Sequence, residues 1–242
     1  MISLHDNFFT ELECKTAVDE INQNSSLWYK CNETEMYILG NSLLRNLNNH
    51  YLDKNNYNFN TVSMFREKLL NIFPKVEFCK KLAKPGFQII KKNETCNPCV
   101  WHYDSILLSF PFQAEFSDYN NNFSEYFDKY YIFTLMLSDS PSSFDYYPET
   151  SSTFGITRVV ETESPETPIC KNHVGLVGDN CDNPQCQLKN FQTVSYTQGS
   201  LLIQTERTLH RVGHRDVDGT ATSRIALQSY GLVKDGTMYL CW

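Results

Sequence analysis

The stretch Thr197–Val212, TQGSLLIQTERTLHRV, decides how most of the chain is read. A glycine turn opens onto the apolar run Leu201–Ile203, which feeds LHRV, so a short strand leads into a second extended segment carrying a histidine. Short β-branched or aromatic runs bounded by turn-formers signal strands rather than helices. Working outward, the same texture recurs in GFQII (86–90), YYIFTLML (130–137), FQTVSY (191–196) and RIALQSYGL (224–232). These segments predict an antiparallel sheet system, a β-sandwich or barrel, from Gly86 onward.

Upstream the period changes. Thr10 and Glu13 have the spacing of a capping box, and Leu12, Ala17, Val18 and Ile21 follow at helical intervals, which predicts a helix over 11–22. VSMFREKLLNIF predicts a second helix over Val62–Phe73, ended by Pro74. The first third therefore reads as mostly helical, with Phe8 and Phe9 stapling the first helix to the sheets. Ser138 to Asn190, rich in Ser, Pro, Thr, Glu and Asn, reads as one long connection, a length that is usually functional or self-structured. Within it Tyr146 and Tyr147 are candidates to line a substrate mouth.

The chain has 242 residues, enough for one substantial core, and its 41% hydrophobic content is that of a globular protein. No apolar run approaches the roughly 18 residues of a membrane span. The start, MISLHDNFFTELECK, lacks a secretory leader, so a cytoplasmic or otherwise intracellular location is expected. A net charge of −7 argues against a general phosphate-tracking surface, so nucleic acid is not the expected partner. Nine cysteines in such a chain point to thiols or metal ligands rather than a disulfide framework.

The chemistry concentrates in WHYDS, residues 101–105. His102 and Asp104 stand two apart, so in extended backbone both side chains share one face. A plain reading is a strand-end histidine bonded to a neighbouring acid. With a third ligand from His210 or His214, the set becomes two imidazoles and a carboxylate, which leaves three adjacent positions of an octahedral Fe(II) open.

The ordered set GFQII, WHYD, YYIFTLMLSD, TQGSLLIQ feeding LHRV, and an arginine opening RIALQSYG resembles the Fe(II)/2-oxoglutarate-dependent dioxygenase superfamily, in the style of its prolyl-hydroxylase-like branch. The likeness covers roughly residues 86–232. It implies an α+β chain with a double-stranded β-helix (jelly roll) core and supporting N-terminal helices. Residues 1–85 would be the helical support and 86–242 the core, with a long insert at about 138–190, in one structural domain.

The resemblance further implies that His102, Asp104 and His210 are the catalytic iron ligands and that Arg224 binds the C5 carboxylate of 2-oxoglutarate, a task suited to the guanidinium fork. His214 stands ten residues before Arg224, the commoner family spacing, and His210 fourteen. His210 is preferred because it follows the GSLLIQ strand and HRDVDGTATSR reads as a lengthened turn, an interval familiar from methylcytosine dioxygenases. The chain departs from the pattern in two places: Ala226 stands where many members have serine, and Lys91 and Lys92 where the branch commonly has tyrosine. Thr134, Tyr103 and Gln228 are unranked candidates for further co-substrate contacts.

The implied reaction consumes 2-oxoglutarate and O2, releases succinate and CO2, and hydroxylates a peptidyl or free amino-acid side chain or a small metabolite. Asp104 favours hydroxylation, since halogenating relatives replace this carboxylate. The alternatives are a nucleobase-oxidising dioxygenase and a non-catalytic cupin-like metal-binding module, which would have no need of Arg224. Separately, Cys170, His173, Cys181 and Cys186 have the composition and spacing of a structural zinc site, whereas Cys96-x-x-Cys99 supplies only half of one.

Overall fold

The computed structural model describes residues 2–23, 29–31, 36–39, 60–78, 88–92, 101–102, 129–139, 142–148, 172, 181–186, 188, 190–205, 208–212 and 224–240. In chain order these form β1 (Ile2–His5), α1 (Glu11–Gln23), β2 (Tyr29–Cys31), β3 (Met36–Leu39), α2 (Asn60–Leu69), β4 (Val76–Phe78), β5 (Gln88–Lys92), β6 (Lys129–Met136) and β7 (Ser142–Tyr146). There follow β8 (Gln192–Tyr196), β9 (Leu201–Thr205), β10 (His210–Val212), β11 (Arg224–Lys234) and β12 (Thr237–Leu240).

The strands divide into a large sheet, ordered β1-β9-β6-β11-β5-β3-β2 with β12 and β4 beyond the far half of β11, and a small sheet ordered β10-β7-β8. Among the described residues every strand pairing is antiparallel except β12 with β4. Consecutive strands β8 and β9 lie in different sheets, so the chain crosses between layers at Thr197–Ser200. Two facing antiparallel sheets joined by such crossovers make the double-stranded β-helix expected from the sequence.

Gly199 is what makes the crossover tight. Its φ is +80°, and a Cβ there would stand 2.1 Å from the Phe9 carbonyl oxygen. The Phe9 N–H donates to the Gly199 carbonyl at 3.0 Å, and the Gly199 N–H donates to Met136 at 2.8 Å. The turn thus ties both the N-terminal segment and β6 to the layer change.

One face of the large sheet is hydrocarbon. Phe133, Leu135, Leu201, Ile203, Ile225 and Leu227 pack there against Cys14, Ala17 and Ile21 of α1 and Phe65 and Leu69 of α2. Phe8 and Phe9 join the same cluster, as the stapling role requires. The capping box forms as the spacing predicts: the Thr10 N–H donates to Glu13 at 2.7 Å and the Glu13 N–H to Thr10 Oγ1 at 3.2 Å. Burial works against ionised Glu13, but hydrogen bonds from Lys68 and Thr10 outweigh it and hold this carboxyl below its ordinary range. Burial pushes the Cys14 thiol up to about 11, so it packs as a small apolar group rather than a nucleophile.

Three readings need correction. The second helix starts earlier and stops sooner than Val62–Phe73. It starts early because both carboxylate oxygens of Glu20 accept the N–H groups of Asn60 and Thr61, at 2.6 and 2.9 Å, an N-terminal cap delivered from α1. It stops after Leu69 because Leu70, Asn71 and Ile72 bond three residues back, the tightened geometry of a terminal turn. Among the described residues the first third carries strands beside its two helices: β1, β2 and β3 extend the large sheet, and β4 joins it through β12. The connection from 138 begins with a strand, β7, whose SSFDY gave only a weak apolar signal.

Candidate active site

The small sheet has two chemically different faces. Register sets His210 opposite Tyr146, Arg211 opposite Asp145 and Val212 opposite Phe144. Because side chains alternate, His210, Tyr146 and Phe144 share the front, facing the large sheet, and Arg211 and Asp145 share the back.

His102 completes the front. Its N–H donates to the His210 carbonyl at 2.8 Å and the His210 N–H returns the bond at 2.8 Å, a directly paired bridge beside β10. The two imidazoles lie 4.4 Å apart, centroid to centroid. His210 is buried at 4% exposure, while His102 is partly buried. Phe144 stacks on the His210 ring at 4.8 Å. The His210 Nδ1 lies 2.8 Å from the Thr208 carbonyl oxygen. A carbonyl can only accept, so Nδ1 carries the proton and Nε2 the lone pair, the tautomer a metal-ligating histidine needs.

Arg224 enters from the large sheet. Its register neighbours place it with Ala226 and Met136 on the inner face, turned toward the small sheet. Arg224 is 5% exposed, and its Nη2 donates to the Tyr196 hydroxyl at 2.8 Å, while Nε has no hydrogen-bond partner among the described residues. Tyr196 packs with Phe144, Met136 and Leu202 in the layer between the sheets, the same cluster whose Phe144 covers His210. The start of β11 is held by Ser138, whose Oγ accepts the Ile225 N–H at 2.9 Å, replacing a ladder bond where β6 ends.

The donor set fits a divalent cation and a carboxylate. Two neighbouring imidazoles, at least one presenting its lone pair, suit the metal, and a buried guanidinium with an orphaned N–H suits the anion, since an unmet donor costs about 1–3 kcal/mol until something accepts it. Asp104, Tyr103 and His214 lie outside the described residues, and among the described residues no three metal-ligating side chains cluster. The structure therefore brings His102 and His210 together on one face, with Arg224 on the facing sheet.

Of the three unranked candidates for co-substrate contact, Thr134 and Gln228 are register partners on the inner face. Tyr196 was missed. Its signal was the alternation Gln192-Val194-Tyr196 in a predicted strand, which puts the phenol on the face shared with His210. Tyr146 also lies on the front, its hydroxyl bonded to Gln192 Oε1 at 2.7 Å. Tyr147 does not: it is 2% exposed and packs on Trp101 behind the small sheet, so only one of the two tyrosines can border a mouth. Of the zinc candidates, Cys181 and Cys186 are partly buried against the Trp101, Tyr147, Leu188 and Leu209 cluster, whereas Cys170 and His173 lie outside the described residues.

Neither a family model nor a curated protein sequence matches the chain. Solved structures do. The non-heme alpha ketoglutarate dependent carbocyclase SnoK from nogalamycin biosynthesis is similar over 96% of this chain and 79% of its own, with TM-score 0.50 and 12% identity. HygX from Streptomyces hygroscopicus, solved with nickel and 2-oxoglutarate bound, is similar over 95% of this chain and 82% of its own, with TM-score 0.49 and 12% identity. The non-heme alpha ketoglutarate dependent epimerase SnoN covers 96% and 79%, with TM-score 0.47 and 10% identity. The likeness to SnoK and the strand order agree: the chain has the double-stranded β-helix fold found in non-heme α-ketoglutarate-dependent enzymes.

Proposed function

We propose that this chain is a non-heme Fe(II)- and 2-oxoglutarate-dependent dioxygenase that hydroxylates a peptidyl or free amino-acid side chain or a small metabolite. The reading rests above all on the bridged pair His102 and His210, with rings 4.4 Å apart on the front of the small sheet. Asp104, two residues on from His102, is the third ligand in this reading. Bound iron supplies O2 activation coupled to oxidative decarboxylation of 2-oxoglutarate to succinate.

The chain's own residues do the rest. His210 keeps its lone pair on Nε2 because Nδ1–H is committed to Thr208. Arg224 offers Nε–H to the C5 carboxylate of 2-oxoglutarate, and Tyr196, which accepts from Nη2, has its own O–H left to donate to the same group. Phe144 and Leu202 exclude water beside the imidazole and the guanidinium, which strengthens both interactions. SnoK is a carbocyclase, so ring closure is an alternative outcome from the same class of site. A structural zinc on Cys170, His173, Cys181 and Cys186 belongs to the same proposal, with metal analysis of the purified protein as its check.

Anaerobic addition of Fe(II) and 2-oxoglutarate is expected to give a weak visible charge-transfer band, lost in Asp104→Ala and Arg224→Ala. No band from a folded protein sinks the enzyme reading. His210→Ala should abolish iron binding while His214→Ala spares it, and the reverse moves the distal ligand. A succinate-release screen over amino acids, peptides, metabolites and oligonucleotides then finds the substrate class. Product mass separates hydroxylation, which adds an oxygen, from ring closure, which removes two hydrogens.

A further inference from the structure

Directly behind the two histidines lies a buried ion pair that the proposed reaction does not use. Arg211 follows His210 and points to the opposite face of the small sheet. Its Nε donates to Asp145 Oδ2 at 2.9 Å, with the two side chains 6% and 7% exposed. Thr193 donates to the other carboxylate oxygen at 2.8 Å. The guanidinium carbon sits 4.6 Å from the ring centre of Trp101, the residue before His102, and 5.2 Å from that of Phe191. Tyr147 braces Trp101 from the side at 4.6 Å.

Burying two opposite charges costs several kcal/mol in desolvation, and well-packed hydrocarbon of similar volume usually serves the fold as well or better. A charged pair kept in that position calls for a use that hydrocarbon cannot supply. Its geometry suggests one. A guanidinium lying over the Trp101 ring and bonded to Asp145 fixes three segments at once: the one before His102, the strand bearing His210, and the strand between β10 and β8. On the front, the two histidines are joined by a backbone bridge. Side-chain alternation then converts any slip or tilt of Arg211 against Trp101 into a change in the separation of the two imidazoles.

We propose that Arg211 is a positioning residue that, clamped by Asp145, Trp101 and Phe191 on the back of the small sheet, sets the spacing of His102 and His210 for a divalent metal. This rests on the reading of those histidines as metal ligands. It acts one layer behind the ligands, where supporting contacts typically change metal affinity 10–100-fold.

Calorimetric titration of the metal-free protein with Co(II), with the visible Co(II) band as signature, tests the clamp without turnover. The wild type should bind and show the band, and His210→Ala should not. The double variant Arg211→Met with Asp145→Leu replaces the pair by hydrocarbon; it should keep its metal-free melting temperature yet bind Co(II) about 10–100-fold more weakly, with a shifted band. Arg211→Lys keeps the charge but loses the flat fork, and should fall between the two. Unchanged affinity and band in a folded double variant overturn the clamp and leave the ligand reading standing. If the double variant does not fold, Arg211→Lys decides: weakened binding supports the clamp, and wild-type binding overturns it. No Co(II) binding by the wild type removes the ligand reading and the clamp together.

Discussion

The outer face of the large sheet and the back face of the small sheet solve the same problem, covering a β surface, by opposite means. The large sheet is covered by two helices through Phe, Leu, Ile and Met contacts, with side chains such as Phe133, Leu135 and Leu201 fully buried. The small sheet is covered by loop residues, Trp101, Tyr147, Leu188 and Phe191, wrapped around a buried Arg–Asp pair. Hydrocarbon contacts are undirected and tolerate small shifts, whereas a bidentate-capable guanidinium held against two rings and a carboxylate accepts few geometries. The directional solution sits directly behind the bridged pair His102 and His210, and the undirected one lies against the two helices.

The inner faces repeat the contrast. Against the hydrocarbon outer face, the inner face of the large sheet carries Arg224, Thr134, Gln228 and Gln204. Under the proposed function, these polar side chains facing the interior layer are the ones suited to a small charged co-substrate.

Single truncations should break this comparison most sharply. Arg211→Ala leaves Asp145 buried without its partner and should cost about 3–5 kcal/mol by denaturant unfolding, whereas the hydrocarbon double variant should be near neutral. Phe133→Ala on the large sheet should also cost about 3–5 kcal/mol, with no rescue by any charge pairing. Equal costs for the single and double variants at Arg211 would remove the distinction between the two faces.

Next in size is the crossover joining the two sheets. Gly199→Ala places a Cβ against the Phe9 carbonyl at a φ of +80° and should cost about 3 kcal/mol or more, seen as a lowered thermal midpoint. A midpoint within a degree of wild type would mean that the turn can re-form without the glycine.

A smaller effect belongs to the helix side alone. Thr10→Ala removes the cap and should cost about 1 kcal/mol. Because Glu13 titrates below its ordinary value in the folded chain, its contribution is fully present above that ordinary value and is lost as pH falls through the lowered one. The stability difference between wild type and Glu13→Gln should therefore shrink on acidification, and a difference that grows would reverse the sign. The smallest signal concerns Cys14: with its thiol near 11, alkylation in the native state at neutral pH should be slower than in unfolded chain by orders of magnitude.

Much of this was legible from residue order. The five long strand segments, the first helix with its capping box, and the placement of a histidine at the start of β10 all follow from period and punctuation, which are local properties of the backbone. Short segments were not legible. β1, β2, β3 and β4 span three or four residues each, too few for a period to declare itself, and they exist because the large sheet offers open edges to pair with. The early start of α2 depends on a carboxylate from Glu20, forty residues away in sequence.

The same division runs through the site. The sequence by itself determined the order of His102, His210 and Arg224 and the alternation that puts each on a defined face of its strand, because side-chain direction in a strand is set by counting. Only the tertiary structure decided that His210 bridges to His102, that Tyr196 meets Arg224 across the layer, and that Arg211 closes on Trp101 and Asp145 behind them. Those contacts join residues from 28 to more than 100 positions apart, and which strands become neighbours is chosen by the burial of whole faces.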